Sequence, residues 1–242
     1  MKDINDLLSE LLAKNGANII ISNPDDLAKL QKKGLKLDPP DSSTPEERLG
    51  KLFESRKKSS LEVIDSIPNL PDVPIPTVGF LYDEIRMCVL FGLNGAAISL
   101  SAVLVEYVLK QAIVRKKYAN DYNADEWDRI EGIEFRQAIK EAGELGLLDD
   151  TSKKQFVDFK NEIRNPYLHY NIKKITKGVK ADKVGKLDIE TQKVEEVKLD
   201  TENDPILWPY AKRFVDKERL KSVLGFTCYA VGLLLVSDEK RE

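Results

Sequence analysis

Between residues 78 and 118 the sequence follows a helical pattern that is apolar around most of its circumference, broken only at Gly92-Leu-Asn-Gly95. A helix with one apolar stripe lies on a surface, whereas one that is apolar all round must be enclosed by other elements. The stretch therefore predicts a central helix, or two helices in line, with the rest of the chain packed about it. Within it, Val89 to Leu109 carries Asn94 and Glu106, and the later apolar run Val223–Val236 covers only 14 residues. A bilayer span needs roughly 20 apolar residues, so both read as core helices. The start, Met1-Lys-Asp-Ile-Asn-Asp, is acidic and lacks the apolar core of a secretory signal. The expectation is a soluble cytoplasmic protein that makes no membrane contact.

Around this centre the pattern predicts further helices. Trp127, Ile130, Phe135 and Ile139 belong to a helical region capped by Asn123 and closing near Gly143 and Gly146. Asp149-Asp150-Thr151 opens another helix, with Phe156, Phe159 and Ile163 on one face. Residues 172–200 interleave β-branched residues with charges between glycines and read as a β-hairpin excursion. Asp216 is the expected N-cap of a last helix over about 217–236. The fold class is all-α: a helical bundle over residues 77–242, with a small β-hairpin insertion at 172–200 before its last helix.

Residues 1–76 differ. They hold eight of the eleven prolines, the last four (Pro68, Pro71, Pro74, Pro76) forming an extended linker. Ile4, Leu7, Leu8, Leu11 and Leu12 recur at helical spacing over 3–14. Asn23-Pro24 opens a second short helix that closes at Gly34, and Thr44-Pro45-Glu46-Glu47 a third to about Lys58. These pieces bury little apolar surface alone. The expectation is an N-terminal arm that packs on the bundle or on a protein partner.

Charge and motif content exclude several classes. Lys+Arg is 38 against Asp+Glu 41, so no global basic field advertises nucleic acid. Two cysteines, Cys88 and Cys228, cannot make a disulfide framework, and one histidine cannot make a multi-imidazole metal site. There is no Walker loop, G-x-G-x-x-G, H-E-x-x-H or C-x-x-C. No metal and no cofactor are expected.

One constellation carries chemistry. The sole histidine lies in Arg164-Asn-Pro-Tyr-Leu-His169-Tyr170-Asn171. On an uninterrupted helix, residues five apart are turned about 140° from each other, so Arg164 and His169 would not share a face. Pro166 cannot donate to the carbonyl of Glu162 and its ring clashes there. The expected resolution is a break, with Asn165 as N-cap and Pro166 opening a new turn. Arg164 would then stand beside a helix amino terminus whose N–H groups favour an anion such as phosphate. The imidazole of His169 would move protons. The competing reading is an inert His169 and an Arg164 held in a structural ion pair with Glu162 or another acid. Glu106, on a mostly apolar helix, is expected to be buried against a basic residue. After the motif, Asn171 to Lys186 holds six lysines (173, 174, 177, 180, 183, 186) against Asp182 alone, suited to an RNA backbone or to a solvated hairpin.

Arg164-Asn165 with His169 resembles the R-x4-H motif of the HEPN superfamily, the higher-eukaryote and prokaryote nucleotide-binding domains. Gly92 to Lys110, with its small-residue start and Glu106, is similar to the family's long second helix. The resemblance covers about residues 78–170 and, more loosely, the final helix. It implies a helical bundle that forms a homodimer, with two motifs sharing one cleft. It further implies a metal-independent endoribonuclease acting in defence, toxin–antitoxin or RNA-processing settings, or a non-catalytic module that binds nucleotide or a protein partner. Carried over by motif position, Arg164 and His169 are the catalytic pair and Asn165 their polar neighbour. Tyr170, Lys173, Lys174 and Lys177, which follow the motif directly, are the expected substrate-binding residues. In some toxin members a tyrosine that an antitoxin modifies stands two residues after the histidine. Here that position is Asn171, which departs from the pattern.

Overall fold

The computed structural model describes residues 43–118, 124–187 and 194–236, together with Ala28, Lys29, Gln31 and Lys32, which are helical. The expected helix over 3–14, most of the one opening at Pro24, and the capping Asn123 lie outside the described residues. The architecture is mainly helical with one two-stranded sheet.

Helix α1 (Pro45–Val63) opens on a capping box: Thr44 Oγ1 accepts from the Glu47 N–H, and the Glu47 carboxylate accepts from the Thr44 N–H. No α1 residue is buried. The helix touches the bundle near its end, where Ser60 Oγ donates to the Leu90 carbonyl and Val63 joins a core cluster. The linker residues Ile67, Leu70, Val73 and Ile75 pack against the same cluster, and the Tyr82 hydroxyl donates to the Pro68 carbonyl.

Helices α2 (Pro76–Leu90) and α3 (Asn94–Tyr118) divide at Gly92 as the sequence predicts, but they are not in line: the chain turns back between them, and Val78, Tyr82, Ile85 and Val89 of α2 share a cluster with Ala97, Leu104, Val108 and Ala112 of α3. Between them the Leu93 N–H reaches the Cys88 carbonyl and the Gly92 N–H the Val89 carbonyl, a Schellman end with Gly92 at φ 69°. Helix α3 is the hub. One face gives Ile98, Ala102, Val105, Leu109 and Ile113 to a cluster with Phe135, Ile139, Phe156 and Phe159. The other gives Ala97, Leu104, Val108 and Ala112 to a cluster with Val78, Ile85, Val89, Leu224 and Val231. All-round apolarity thus becomes two-sided burial. Among the described residues α3 alone is long and apolar enough to cross a membrane, and 67% of that window is buried inside the protein.

Helices α4 (Ala124–Gly132), α5 (Phe135–Glu144) and α6 (Asp150–Phe159) follow. Asp149 caps α6 by accepting from the Ser152 N–H at 2.7 Å. Then come a π turn (Lys160–Arg164) and the short helices α7 (Asn165–Leu168) and α8 (Ile172–Ile175). Strands β1 (Lys180–Leu187) and β2 (Val194–Asp200) pair antiparallel, with Val184 opposite Val197. The hairpin therefore starts at Lys180, later than the expected 172, because the Asn171 side chain accepts from the Lys174 N–H and caps a helical turn first. The last helix, α9 (Trp208–Leu235), starts nine residues before the expected 217. Pro209 sits in its first turn, where a missing N–H costs nothing. Asp216 is accordingly inside α9, not its cap.

Candidate functional site

The chain around Pro166 does not break. Arg164 and Asn165 both have right-handed helical dihedrals, and the Asn165 N–H donates to the Lys160 carbonyl, five residues back. The extra residue in this π turn steps the helix past the proline. It also frees the Glu162 carbonyl, which accepts from Arg219 Nη1 of α9 at 3.4 Å. A single-turn π bulge is the usual way an α-helix absorbs such a residue, and it is often found at functional sites. The expected N-cap at Asn165 and its free amino terminus are therefore replaced by continuous helix. Asn165 Oδ1 is spent on Arg164 Nη1 at 3.0 Å.

Arg164 is held from the other side by the core helix. Its Nε and Nη2 lie 3.0 and 2.9 Å from Glu106 Oε2 of α3. The second oxygen of Glu106 faces Lys110 Nζ at 3.0 Å, and Lys110 also donates to the Glu131 carbonyl. The pair is largely enclosed, with the Glu106 and Arg164 side chains 17% and 23% exposed. A guanidinium carries five N–H donors. These contacts occupy one from each nitrogen, so two remain to meet an anion. Two cations share one carboxylate, and the trio keeps a net positive charge.

His169 closes α7, its N–H donating to the Asn165 carbonyl at 3.2 Å. The side chain is exposed and has no hydrogen bond or ion pair among the described residues. Tyr170 follows with φ 47° and is 66% exposed. Lys173, Lys174 and Lys177 are exposed along α8 and the turn after it, with Lys173 Nζ 5.6 Å from the Trp208 ring centroid. The structure thus joins Arg164 to Asn165 and sets His169, Tyr170 and the lysines on the surface that follows. It makes no hydrogen bond between Arg164 and His169.

No protein-family model, curated protein or solved structure matches this chain.

Beneath the motif lies a group that sequence reading did not join to it. The Tyr167 hydroxyl donates to Asp216 Oδ1 at 2.7 Å, and Lys212 Nζ meets Asp216 Oδ2 at 2.5 Å. Burial pushes the Tyr167 phenol well above its usual range, and its bond to the Asp216 carboxylate adds to this. Gly95 at the start of α3 leaves room for this pair, because a Cβ there would fall 2.7 Å from both Asp216 Oδ2 and Lys212 Nζ and push their side chains aside. The Lys212–Asp216 spacing of four is a helix-neighbour signal. Nothing in the sequence connects it to residues near 167.

A second ionic cluster holds α4 to α3 and α5. Lys117 lies 3.1 Å from Glu126 and 2.6 Å from Glu141, and Arg129 reaches the same two carboxylates. The Arg129 hydrogen bond, aided by Lys117 and opposed by burial, lowers the Glu126 carboxyl to about 2. Among the described residues no group of three or more His, Cys, Asp or Glu is placed to hold a metal ion.

Proposed function

We propose that the protein is a metal-independent endoribonuclease of HEPN type, acting on RNA in a defence, toxin–antitoxin or RNA-processing setting in the cytoplasm. The observation that supports this best is the state of Arg164. Its guanidinium is oriented by Glu106 and Asn165 yet keeps two donors and a surplus positive charge, five residues before an exposed imidazole that has no partner among the described residues.

In this reading His169 takes the proton of a ribose 2′-OH, or gives one to the leaving 5′-oxygen, while Arg164 stabilises charge on the pentavalent phosphate. The 2′-oxygen–phosphorus bond forms and the phosphorus–5′-oxygen bond breaks, leaving a 2′,3′-cyclic phosphate and a 5′-hydroxyl. One histidine per chain cannot be base and acid at once, so a homodimer with both motifs in one cleft completes the proton transfers. Lys173, Lys174 and Lys177 lead the RNA backbone away from the motif, and the N-terminal arm offers a surface to a protein partner.

The Glu106–Arg164 pair itself favours a second reading, in which Arg164 is structural and the domain is a non-catalytic module that binds nucleotide or a protein. Labelled RNA incubated in EDTA with the native chain and with His169→Ala separates them. Cleavage by the native chain alone supports the enzyme; equal cleavage by both, or none, removes it.

A further inference from the structure

Among the described residues three helices end in the same Schellman pattern. Gly92 ends α2 at φ 69°, and Gly146 ends α5 at φ 72°, with the Leu147 N–H on the Ala142 carbonyl. After α7 the Asn171 N–H reaches the Pro166 carbonyl at 2.7 Å and the Tyr170 N–H the Tyr167 carbonyl at 3.2 Å. The left-handed residue here is Tyr170, the one non-glycine at positive φ among the described residues. Glycine adopts this conformation without penalty, whereas a side chain there is strained. Strain of this kind persists where surrounding contacts hold it and gathers at functional sites.

The holding contact is visible. Lys212 Nζ, fixed by Asp216, lies 5.6 Å from the Tyr170 ring centroid and 5.4 Å from that of Tyr167. The ammonium is mostly buried, its side chain 14% exposed, while Tyr170 is 66% exposed. The ring therefore lies over a cation tied to the core, while most of the residue, next to His169 in the chain, is exposed. A rigid, outward aromatic face next to basic groups is how proteins take up unpaired bases, which stack on the ring while cations follow the backbone.

We propose that Tyr170, backed by Lys212, is a stacking platform for an unpaired nucleobase of single-stranded RNA, adjoining the phosphate held at Arg164. This rests on the ribonuclease reading for the identity of the phosphate, and adds a preference for unpaired over paired substrate. Bases inside a duplex are stacked on their neighbours and cannot reach the ring.

The test uses Tyr170→Gly, Tyr170→Trp and Lys212→Met in the full chain. The readouts are melting temperature and affinity for a fluorescent single-stranded RNA 12-mer and its duplex. The native chain is expected to prefer the single strand. Tyr170→Gly relieves the strained turn, so its melting temperature should equal or exceed the native value while single-strand affinity falls about tenfold or more. Tyr170→Trp should bind within about twofold of native, and Lys212→Met should bind more weakly. If Tyr170→Gly binds as the native chain does, or loses melting temperature and affinity together, the platform is overturned. Failure of the native chain to bind single-stranded RNA overturns it too. Should Lys212→Met not fold, the two Tyr170 variants decide alone. Tyr170-dependent binding without cleavage in EDTA would sink the ribonuclease reading and leave the platform standing. Cleavage indifferent to Tyr170 would do the reverse.

Discussion

Glu106 and Arg164, 58 positions apart in sequence, meet through one carboxylate oxygen, with Oε2 lying 3.0 Å from Nε and 2.9 Å from Nη2. The contact anchors the motif to the central helix. It also leaves Glu106 balancing Arg164 and Lys110 together. Deleting the acid therefore costs more than deleting either base.

Glu106→Ala leaves two enclosed cations facing each other and is expected to destabilise the chain by about 2–3 kcal/mol in urea unfolding. Arg164→Ala leaves Glu106 paired with Lys110 and should cost about 1 kcal/mol less. Its turnover, however, should fall about 100- to 1,000-fold, the cost of losing one donor to a developing anion. Arg164→Lys keeps charge but not the planar fork and should remain impaired. A variant whose stability and cleavage decline in step would mark Arg164 as structural.

Pro166→Ala tests the π turn. Restoring the N–H lets an α-turn compete for the Glu162 carbonyl, and annealing the bulge would rotate Arg164 by about 100° relative to Tyr167. Tyr167 is tied to Asp216 and Phe159 to the core, so the turn is held from both ends. Pro166 is buried and the rotation would part Arg164 from Glu106, so stability should fall by about 1–2 kcal/mol. In the proposed reaction turnover should fall, since Arg164 would lose the hold of Glu106 that orients it. Native-like turnover in a variant shown by melting to be folded would mean that the π turn has no part in the chemistry.

The central helices were legible in the sequence because all-round apolarity has one structural meaning, and Gly92 to Gly95 marked where they divide. The helix starts at Asp149 and Thr44 were legible for a local reason of another kind, the capping and first-turn residues themselves. The course of the chain at Pro166 was not. A proline in a helical pattern is compatible with a break or with a bulge, and the Arg219 side chain that takes up the Glu162 carbonyl comes from another helix. Asp216 was misplaced as a cap because the charged residues Lys212, Arg213 and Lys217 hide the first turns of α9. Its true partner, Tyr167, lies 49 positions away. The expected pairing of Glu106 with a base holds, although the carboxylate is partly exposed and not buried, and its link to Arg164 leaves no mark in the spacing.

Acid should loosen α4 before the bundle. Glu126 is lowered from its ordinary 4.5 to about 2 by Arg129 and Lys117, against the opposing effect of burial. A carboxyl lowered in the folded state contributes fully above about pH 4.5, and its contribution drains as pH falls toward about 2. Glu126→Gln should therefore cost about 1–2 kcal/mol at pH 7. It should also flatten the acid limb of stability between pH 4.5 and 2, measured as urea midpoints across pH. An unchanged limb would assign the acid response to other carboxylates.

The lysines after the motif offer an electrostatic measurement. Lys174 and Lys177 are exposed, and only the backbone N–H of Lys174 serves the fold, by way of Asn171. Replacing both with alanine leaves the cap intact and removes two charges. If each meets a phosphate, single-stranded RNA binding should weaken. The slope of log affinity against log salt should then become shallower by about 0.7 for each phosphate no longer neutralised. Lys173 provides a contrast, because its ammonium also lies against Trp208. Lys173→Ala should reduce the slope by a similar amount and in addition lower thermal stability a little as the indole is uncovered. Lys-to-Ala changes that leave the salt slope untouched would return this segment to a solvated face. The RNA path would then have to run over some other part of the surface around His169.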